Sequence, residues 1–548
     1  LQEVEKLLIH GEFQEGLKLI EKNLKNKNIT KEEKLGFLVL KSTYLNELGK
    51  HKEALETVET VLKESGKIDN ILLHVDALIE KAMAANNLSG KIDEIGSIID
   101  KGFELLETTK LVFPEKELIK RKALLINYKG LHLFFLGNPK ESKKLLEESV
   151  SLARKSGDKR ILAWALFGIG FTAKNKDYAE EAHKIALETG NKLLLALTYY
   201  CLAVFSYSKH DYYEAIELME KFFTLLDEVG STFIKEENYN DLGVYYRATN
   251  QLDKALECFH RALKGSRTLS YMKLSNIGYT YLLKNELEEA QKYYLEALEK
   301  SEETKEFRSY PRILYQLVSI SIELKEFTQA QKHLKHLEQI SKETGLEQFS
   351  LHAHFASILL LKTSGEISVL AEAIKLLKEA LAKEDLHPHW RLEALYSLLE
   401  IRLKELQLSA TKETLAEAKK QAIRLEVEAE ERQYRWLLGN VYRLQSQLAL
   451  IEMDAETSFE LLTKAETIAE ETKNEFLKEK VNGDREKISQ QLDLLQKLRE
   501  RKAPISETVK LVTLGNTIQT IKEETVLEER DKETGKIIEY RKIFALKI

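Results

Sequence analysis

The chain has 548 residues, 43% of them hydrophobic and 31% charged, with a formal net charge of −6. Only 5 prolines and 24 glycines occur, few for a loop-rich or all-β protein, and the abundant Leu, Glu, Lys and Ala are good helix formers. The mild acidity argues against nucleic acid as the main ligand, because phosphate binding needs clustered cations.

Cys201 and Cys258 both fall inside helical patterns, far apart, so no disulfide framework or zinc spacing can be built from them. They read as small buried hydrophobes, and a reducing compartment, the cytoplasm, is the simplest setting. No apolar stretch approaches the roughly 18 residues that suggest a membrane span. No signal peptide is visible, and the chain begins at Leu1 rather than Met, which leaves room for residues upstream.

From the N-terminus onward one pattern recurs. A short polar turn leads into a helix with Ala or another small residue, followed by apolar positions four and seven residues later. Clear copies are 49–62 (GKHKEALETVETVL), 211–223 (DYYEAIELMEKFF), 250–263 (NQLDKALECFHRAL), 285–298 (NELEEAQKYYLEAL), 325–337 (KEFTQAQKHLKHL) and 365–381 (GEISVLAEAIKLLKEAL). Weaker copies start near Gly11, Gly90, Gly137, Asp177, Ser409 and Asp454. This predicts about a dozen helical hairpins, spaced by roughly 34 to 47 residues. Each turn is preceded by a second apolar-periodic helix, such as 236–249, whose Tyr239, Leu242 and Tyr246 share a face. Neither helix can bury its stripe alone, so neighbouring hairpins must stack. Pro114, Pro139, Pro311, Pro388 and Pro504 fall at predicted helix starts or connectors, where a missing N–H costs nothing. Gly11, Gly49, Gly137 and Gly365 fall in turns between paired helices.

Towards the C-terminus the pattern changes. The region 409–472 has longer helices and looser spacing, including a polar helix over 411–431. The stretch 476–502 reads as one long amphipathic helix. Its Lys497, Arg499, Arg501 and Lys502 read as a solvated helix end, where the dipole favours cations. Beyond it, 508–514 and 517–529 read as strands around Gly515-Asn516, a two-residue hairpin signal. A third run, 536–548, places Ile538, Tyr540, Phe544, Leu546 and Ile548 on one face, with 531–535 as the turn into it. Three segments follow: a helical repeat array over 1–475, a capping helix over 476–504 and a small β-hairpin or meander over 505–548, cut short at Ile548. So small a sheet must pack on the last helices, pair with another chain or continue further.

One family resemblance rests on specific residues. Tyr239, Leu242, Gly243 and Tyr246 on a first helix, then Ala255, Phe259 and Ala262 on a second, resemble the tetratricopeptide pattern of Trp-x-x-Leu-Gly-x-x-Tyr followed by Ala-x-x-x-Phe. Leu274, Ile277, Gly278 and Tyr281 with Ala290, Tyr294 and Ala297 repeat it, and Trp164, Phe167, Gly168 and Phe171 match its first half. The match is specific over 159–298. Elsewhere spacings near 40 resemble the longer-helix variants of kinesin light chains and of sensor arms of bacterial regulators. The family's usual proline after the second helix is almost wholly absent.

The resemblance implies an all-α, right-handed superhelix of hairpins that binds an extended peptide or helix on the concave surface made by its first helices. Carried over by alignment, that groove includes Tyr200, Tyr207, Asn240, Val244, Arg247, Ser275, Tyr279 and Tyr315. Asn240 would hold a ligand backbone through its amide, and Arg247 would meet a carboxylate with its fork of donors. The tyrosines offer apolar contact with a polar tip. Several of these side chains are equally read as packing between repeats. The Lys and Asn pattern that clamps chaperone C-terminal carboxylates is not reproduced.

No phosphate loop, dinucleotide fingerprint or nucleophile elbow is present. His333 and His336, with His352 and His354 on the next helix, have metal-compatible spacing but read as solvated helix residues. His387-Pro388-His389-Trp390 reads as a helix start with an aromatic packing residue. The expectation is a non-enzymatic binding scaffold, without cofactor or metal. Two alternatives stay open: the sensor or regulatory arm of a larger signalling or transcriptional regulator, and an assembly subunit. The second would use β-augmentation or self-association through 505–548.

Overall fold

Helices paired by short turns make up nearly the whole of the computed structural model. It describes every residue except 66–69, 87–91, 110–111, 210, 266–269, 305–308, 365, 384–385, 433, 472–474, 513–525, 531–536 and 543–548. The chain divides into two compact units, Leu1–Lys273 and Leu274–Ile548.

The first unit runs α1 (Gln2–Ile9), α2 (Phe13–Leu24), α3 (Lys31–Glu47), α4 (His51–Ser65), α5 (Ile71–Asn86), α6 (Ile92–Thr108) and α7 (Glu115–Phe135). It continues through α8 (Pro139–Ser156), α9 (Lys159–Ala173), α10 (Lys176–Thr189), α11 (Lys192–Ser208), α12 (Tyr212–Val229), α13 (Thr232–Ala248) and α14 (Leu252–Gly265). Across the division runs α15 (Ser270–Leu283). The second unit holds α16 (Leu287–Thr304), α17 (Tyr310–Glu323), α18 (Phe327–Thr344), α19 (Glu347–Lys362), α20 (Ile367–Leu381) and α21 (Pro388–Ser409). It ends with α22 (Lys412–Glu431), α23 (Arg435–Ile451), α24 (Ala455–Glu471), α25 (Glu475–Glu500) and the short α26 (Ile505–Thr508). Up to α24 these form twelve hairpins among the described residues, matching the dozen expected.

The turn inside a hairpin needs one residue in the left-handed region. Gly11, Gly49 and Gly137 supply it at φ 71°, 79° and 82°. Asn250 and Asn285 supply it in later hairpins, where their short polar side chains tolerate positive φ. Lys174, Lys325, Ala410 and Met453 do the same without that advantage. The turns expected at Gly90 and Gly365 lie outside the described residues. Helix starts follow the sequence too: Thr30 forms a capping box with Glu33, and Asn138, Asp158, Asn175, Asn191 and Asp211 cap with their side chains. Pro139 and Pro311 occupy the first helical turn.

First and second helices are buried differently. The second helix α14 hides one stripe, Ala255, Leu256, Cys258, Phe259 and Ala262. The first helix α5 hides eleven of its sixteen residues, because hairpins flank it. Small residues sit where paired helices touch. A methyl group on Gly243 would lie 2.7 Å from the Phe259 ring, and one on Gly278 would lie 2.9 Å from the Tyr294 ring. Cys201 and Cys258 are buried and unbridged.

Within the first unit the chain comes back on itself. Val4, Leu8, Phe13, Tyr44 and Leu48 share one apolar core with Leu193, Leu197, Phe222 and Leu242. Polar contacts close the same junction. His10 Nδ1 lies 2.8 Å from the Thr189 carbonyl, and Ser231 Oγ donates to the Leu48 carbonyl at 3.1 Å. Asn191 caps α11 with its side-chain oxygen and donates to the Leu8 and Ile9 carbonyls at 3.4 and 3.3 Å.

In the second unit α25 lies where the long amphipathic helix was expected and buries Leu477, Val481, Ile488 and Leu495 in a core shared with α21–α24. The small β-rich element expected after it is not supported. Its first strand, 508–514, begins instead as the end of α26 and a 3₁₀ turn over Val509–Leu511. Thr508 is buried there because its Oγ1 donates to the Ile451 carbonyl at 2.8 Å. The Gly515-Asn516 and 531–535 turns lie outside the described residues. What is described beyond them is one antiparallel pair, β1 (Val526–Arg530) with β2 (Ile537–Lys542). Among the described residues no helix is long and apolar enough to cross a membrane.

Candidate functional site

Stacking of α11 on α13 brings several of the expected groove residues together. Tyr200 donates its hydroxyl proton to Asp241 Oδ2 at 2.7 Å, linking the two helices. Its ring stacks on Phe171 from α9 at 5.7 Å. Burial pushes the phenol well above its ordinary range and the Asp241 carboxyl upwards, so both favour their neutral forms more than in water. Further along the two helices, Tyr207 stacks on Tyr245 at 4.6 Å. Asn240 is half-buried and its Nδ2 lies 3.4 Å from Asp241 Oδ1. Val244 packs against the core of the unit, and the Arg247 guanidinium lies over the Phe259 ring at 5.3 Å, towards the second helix of its own hairpin.

The remaining expected residues belong to the second unit. Ser275 is 1% exposed, so it offers no surface to a ligand. Tyr279 is half-buried. Tyr315 packs edge-on to Trp390 at 5.5 Å and to His352 at 6.0 Å. The histidines expected to be solvated are engaged instead. His336 Nε2 lies 3.4 Å from the Tyr310 hydroxyl, and His354 Nε2 lies 2.9 Å from the Leu376 carbonyl. Among the described residues no group of three or more His, Cys, Asp or Glu could hold a metal ion.

A second constellation was not anticipated. In the first unit α1, α3, α5, α7 and α9 surround a cavity of about 460 Å³. Behind it lies a buried polar network. Arg160 donates to Glu47, with Nε to Oε1 at 3.0 Å. Glu80 accepts from Thr43 Oγ1 at 2.8 Å and Asn46 Nδ2 at 2.9 Å. Burial lifts the Glu80 carboxyl to about 7, against the pull of Asn46, Arg160 and Thr43. A signal existed: Glu80 interrupts α5, the apolar run ILLHVDALIEKAMAAN. An acid there is either exposed or held by partners, and Glu80 is the buried case.

Residues 239–270 and 274–303 match family models, each described as tetratricopeptide repeat. These two stretches are tetratricopeptide repeats. Similar solved structures include a Rap protein complexed with competence and sporulation factor, 10% identical over 63% of this chain and 99% of that one, with a TM-score of 0.43. Others are the human IFIT1 dimer with m7Gppp-AAAA (16%, 85% and 95%, TM-score 0.37) and the apo quorum sensor NprR from B. thuringiensis (14%, 64% and 98%, TM-score 0.40). No curated protein matches the sequence significantly. Stacked tetratricopeptide repeats present extended surfaces for protein and peptide binding. The matched hairpins α13–α14 and α15–α16 carry the glycine–aromatic contacts described above.

Proposed function

We propose that the chain is a non-enzymatic scaffold that binds an extended peptide or protein segment along the first-helix face of its repeats. The observation that carries this reading is the α11–α13 pairing. The Tyr200–Asp241 hydrogen bond and the Tyr207–Tyr245 stack hold two first helices in register before any ligand arrives. A surface ordered in advance loses little entropy on binding. On it Asn240 would bond the ligand backbone through its amide, Val244 and Tyr207 would give apolar contact, and Arg247 would meet a carboxylate.

The test is capture of a partner by the folded chain, compared with the double variant Asn240→Ala, Arg247→Ala. Thermal melting of both proteins checks that the variant is folded. A partner retained by the parent and lost by the variant supports the reading. Equal retention by both removes this face from the binding surface.

A further inference from the structure

The cavity in the first unit has the size of a small-ligand site and an unbalanced lining. Its apolar walls come from Leu8, Val39, Leu40, Leu73, Ile79 and Leu124. Five carboxylates line it, Glu5, Asp76, Glu80, Glu117 and Asp158, against three cations, Lys120, Arg121 and Arg160. Every one of those cations is already engaged. Arg121 pairs with Asp76 at 2.7 Å and Glu117 at 3.1 Å. Lys120 pairs with Glu117 at 3.2 Å and Asp158 at 3.6 Å. Arg160 is held by Glu47. Glu5 and Glu80 are left without an ion pair among the described residues. Glu5 is exposed, whereas Glu80 is 8% exposed.

We propose that this cavity receives an organic cation carried by a peptide, its alkyl stem against the apolar walls and its charge against Glu80 and Glu5. The chemistry fits a lysine or arginine side chain or a free α-amino group, each a charge on a short apolar stem. Low-dielectric walls around a surplus of one sign concentrate the opposite charge. Among the described residues Glu80 has only the Arg160 charge nearby, shared with Glu47, so a second cation stabilises its charged form. The proposal rests on the peptide-binding reading above, but it needs none of the α11–α13 residues.

The experiment titrates the full chain with three labelled pentapeptides. The first is acetyl-Leu-Lys-Leu-Arg-Leu-amide. The second is the same peptide with Gln at both charged positions. The third is the Gln peptide with a free amino terminus. The expected result is binding of the first or third and none of the second. That preference should weaken at least about tenfold, or about 1.4 kcal/mol, in Glu80→Gln. Glu5→Gln, at the exposed rim, should weaken it without risk to the fold. Binding of the first alone identifies a side chain as the source, and binding of the third alone identifies the terminus. No binding of any peptide, equal binding of all three, or full affinity in both variants overturns the proposal. If so, the effect of Asn240→Ala, Arg247→Ala on partner capture still stands or falls by itself.

Discussion

Arg160 and Glu47 meet through Nε and Oε1 at 3.0 Å although 113 positions separate them in the chain. Glu47 is 3% exposed, whereas the Arg160 side chain keeps 22% of its surface and lines the cavity. Removing one partner strands a buried charge, which costs more than the pair contributes. Arg160→Met, which strands the buried Glu47, should therefore destabilise the first unit by about 3–5 kcal/mol. The double variant Glu47→Leu, Arg160→Met should cost much less. Urea unfolding of both checks this, and equal losses would show that the stranded charge is not the cause.

Glu80 makes stability depend on pH in an unusual direction. Its carboxyl titrates near 7 in the fold against an ordinary 4.5. Glu47 from α3, Tyr128 from α7 and Arg160 from α9 face it. Below about 4.5 the group is protonated in both folded and unfolded chains and contributes nothing. As pH rises from there to 7 the unfolded chain gives up the proton first, so stability falls by up to about 3 kcal/mol. The deficit persists above 7. Glu80→Gln should lose this component of the decline. Chemical denaturation at pH 5 and pH 8 measures it, and parallel curves for parent and variant would refute it.

Gly243 and Gly96 should respond oppositely to the same change. A methyl group at 243 meets the Phe259 ring at 2.7 Å, while one at 96 meets nothing within 4 Å. Gly243→Ala should cost about 1–3 kcal/mol through overpacking. Gly96→Ala, inside α6, should be neutral or stabilise by about 0.5–1 kcal/mol, because glycine weakens a helix interior. Thermal melts of the two variants decide it.

Tyr200→Phe keeps the ring stacked on Phe171 and deletes only the donor to Asp241. Asp241 keeps the long contact with Asn240 at 3.4 Å. The expected loss is about 1–3 kcal/mol, the cost of leaving a buried acceptor short of a donor. Asp241→Leu, which removes the acceptor, should cancel part of that loss in the double variant. Four urea curves complete the cycle.

The hairpins were legible because two local signals agree at each of them. Helical periodicity marks the buried stripe, and Gly11, Gly49, Asn250 or Asn285 marks the left-handed turn. Lys325 and Met453 adopt the same conformation without any preference for it, so there only the neighbouring helices betray the turn. The strand expected over 508–514 failed for a non-local reason. Its alternation is real, but Thr508 is held by the Ile451 carbonyl, far back in the chain. Alignment put Tyr200 and Tyr207 on the correct helix, yet it could not say that Tyr315 would be covered by Trp390. The cavity was illegible because five helices assemble it, and no window of sequence contains both Glu80 and Arg160.

The closure of α1–α3 onto α11–α13 changes how the first unit folds. In an open array each repeat touches only its neighbours, folding starts anywhere, and the ends fray freely. Here Ser231 bonds to Leu48 across 183 residues, as a strut bonds two turns of a spring. Bringing those points together carries a loop-closure cost that no single hairpin repays, so the junction forms late and slows the whole. Once formed it ties the N-terminal end to the middle of the array. Amide exchange in α3 and in α11 should then share one opening free energy, and deleting α1 and α2 should loosen hairpins some 180 residues downstream.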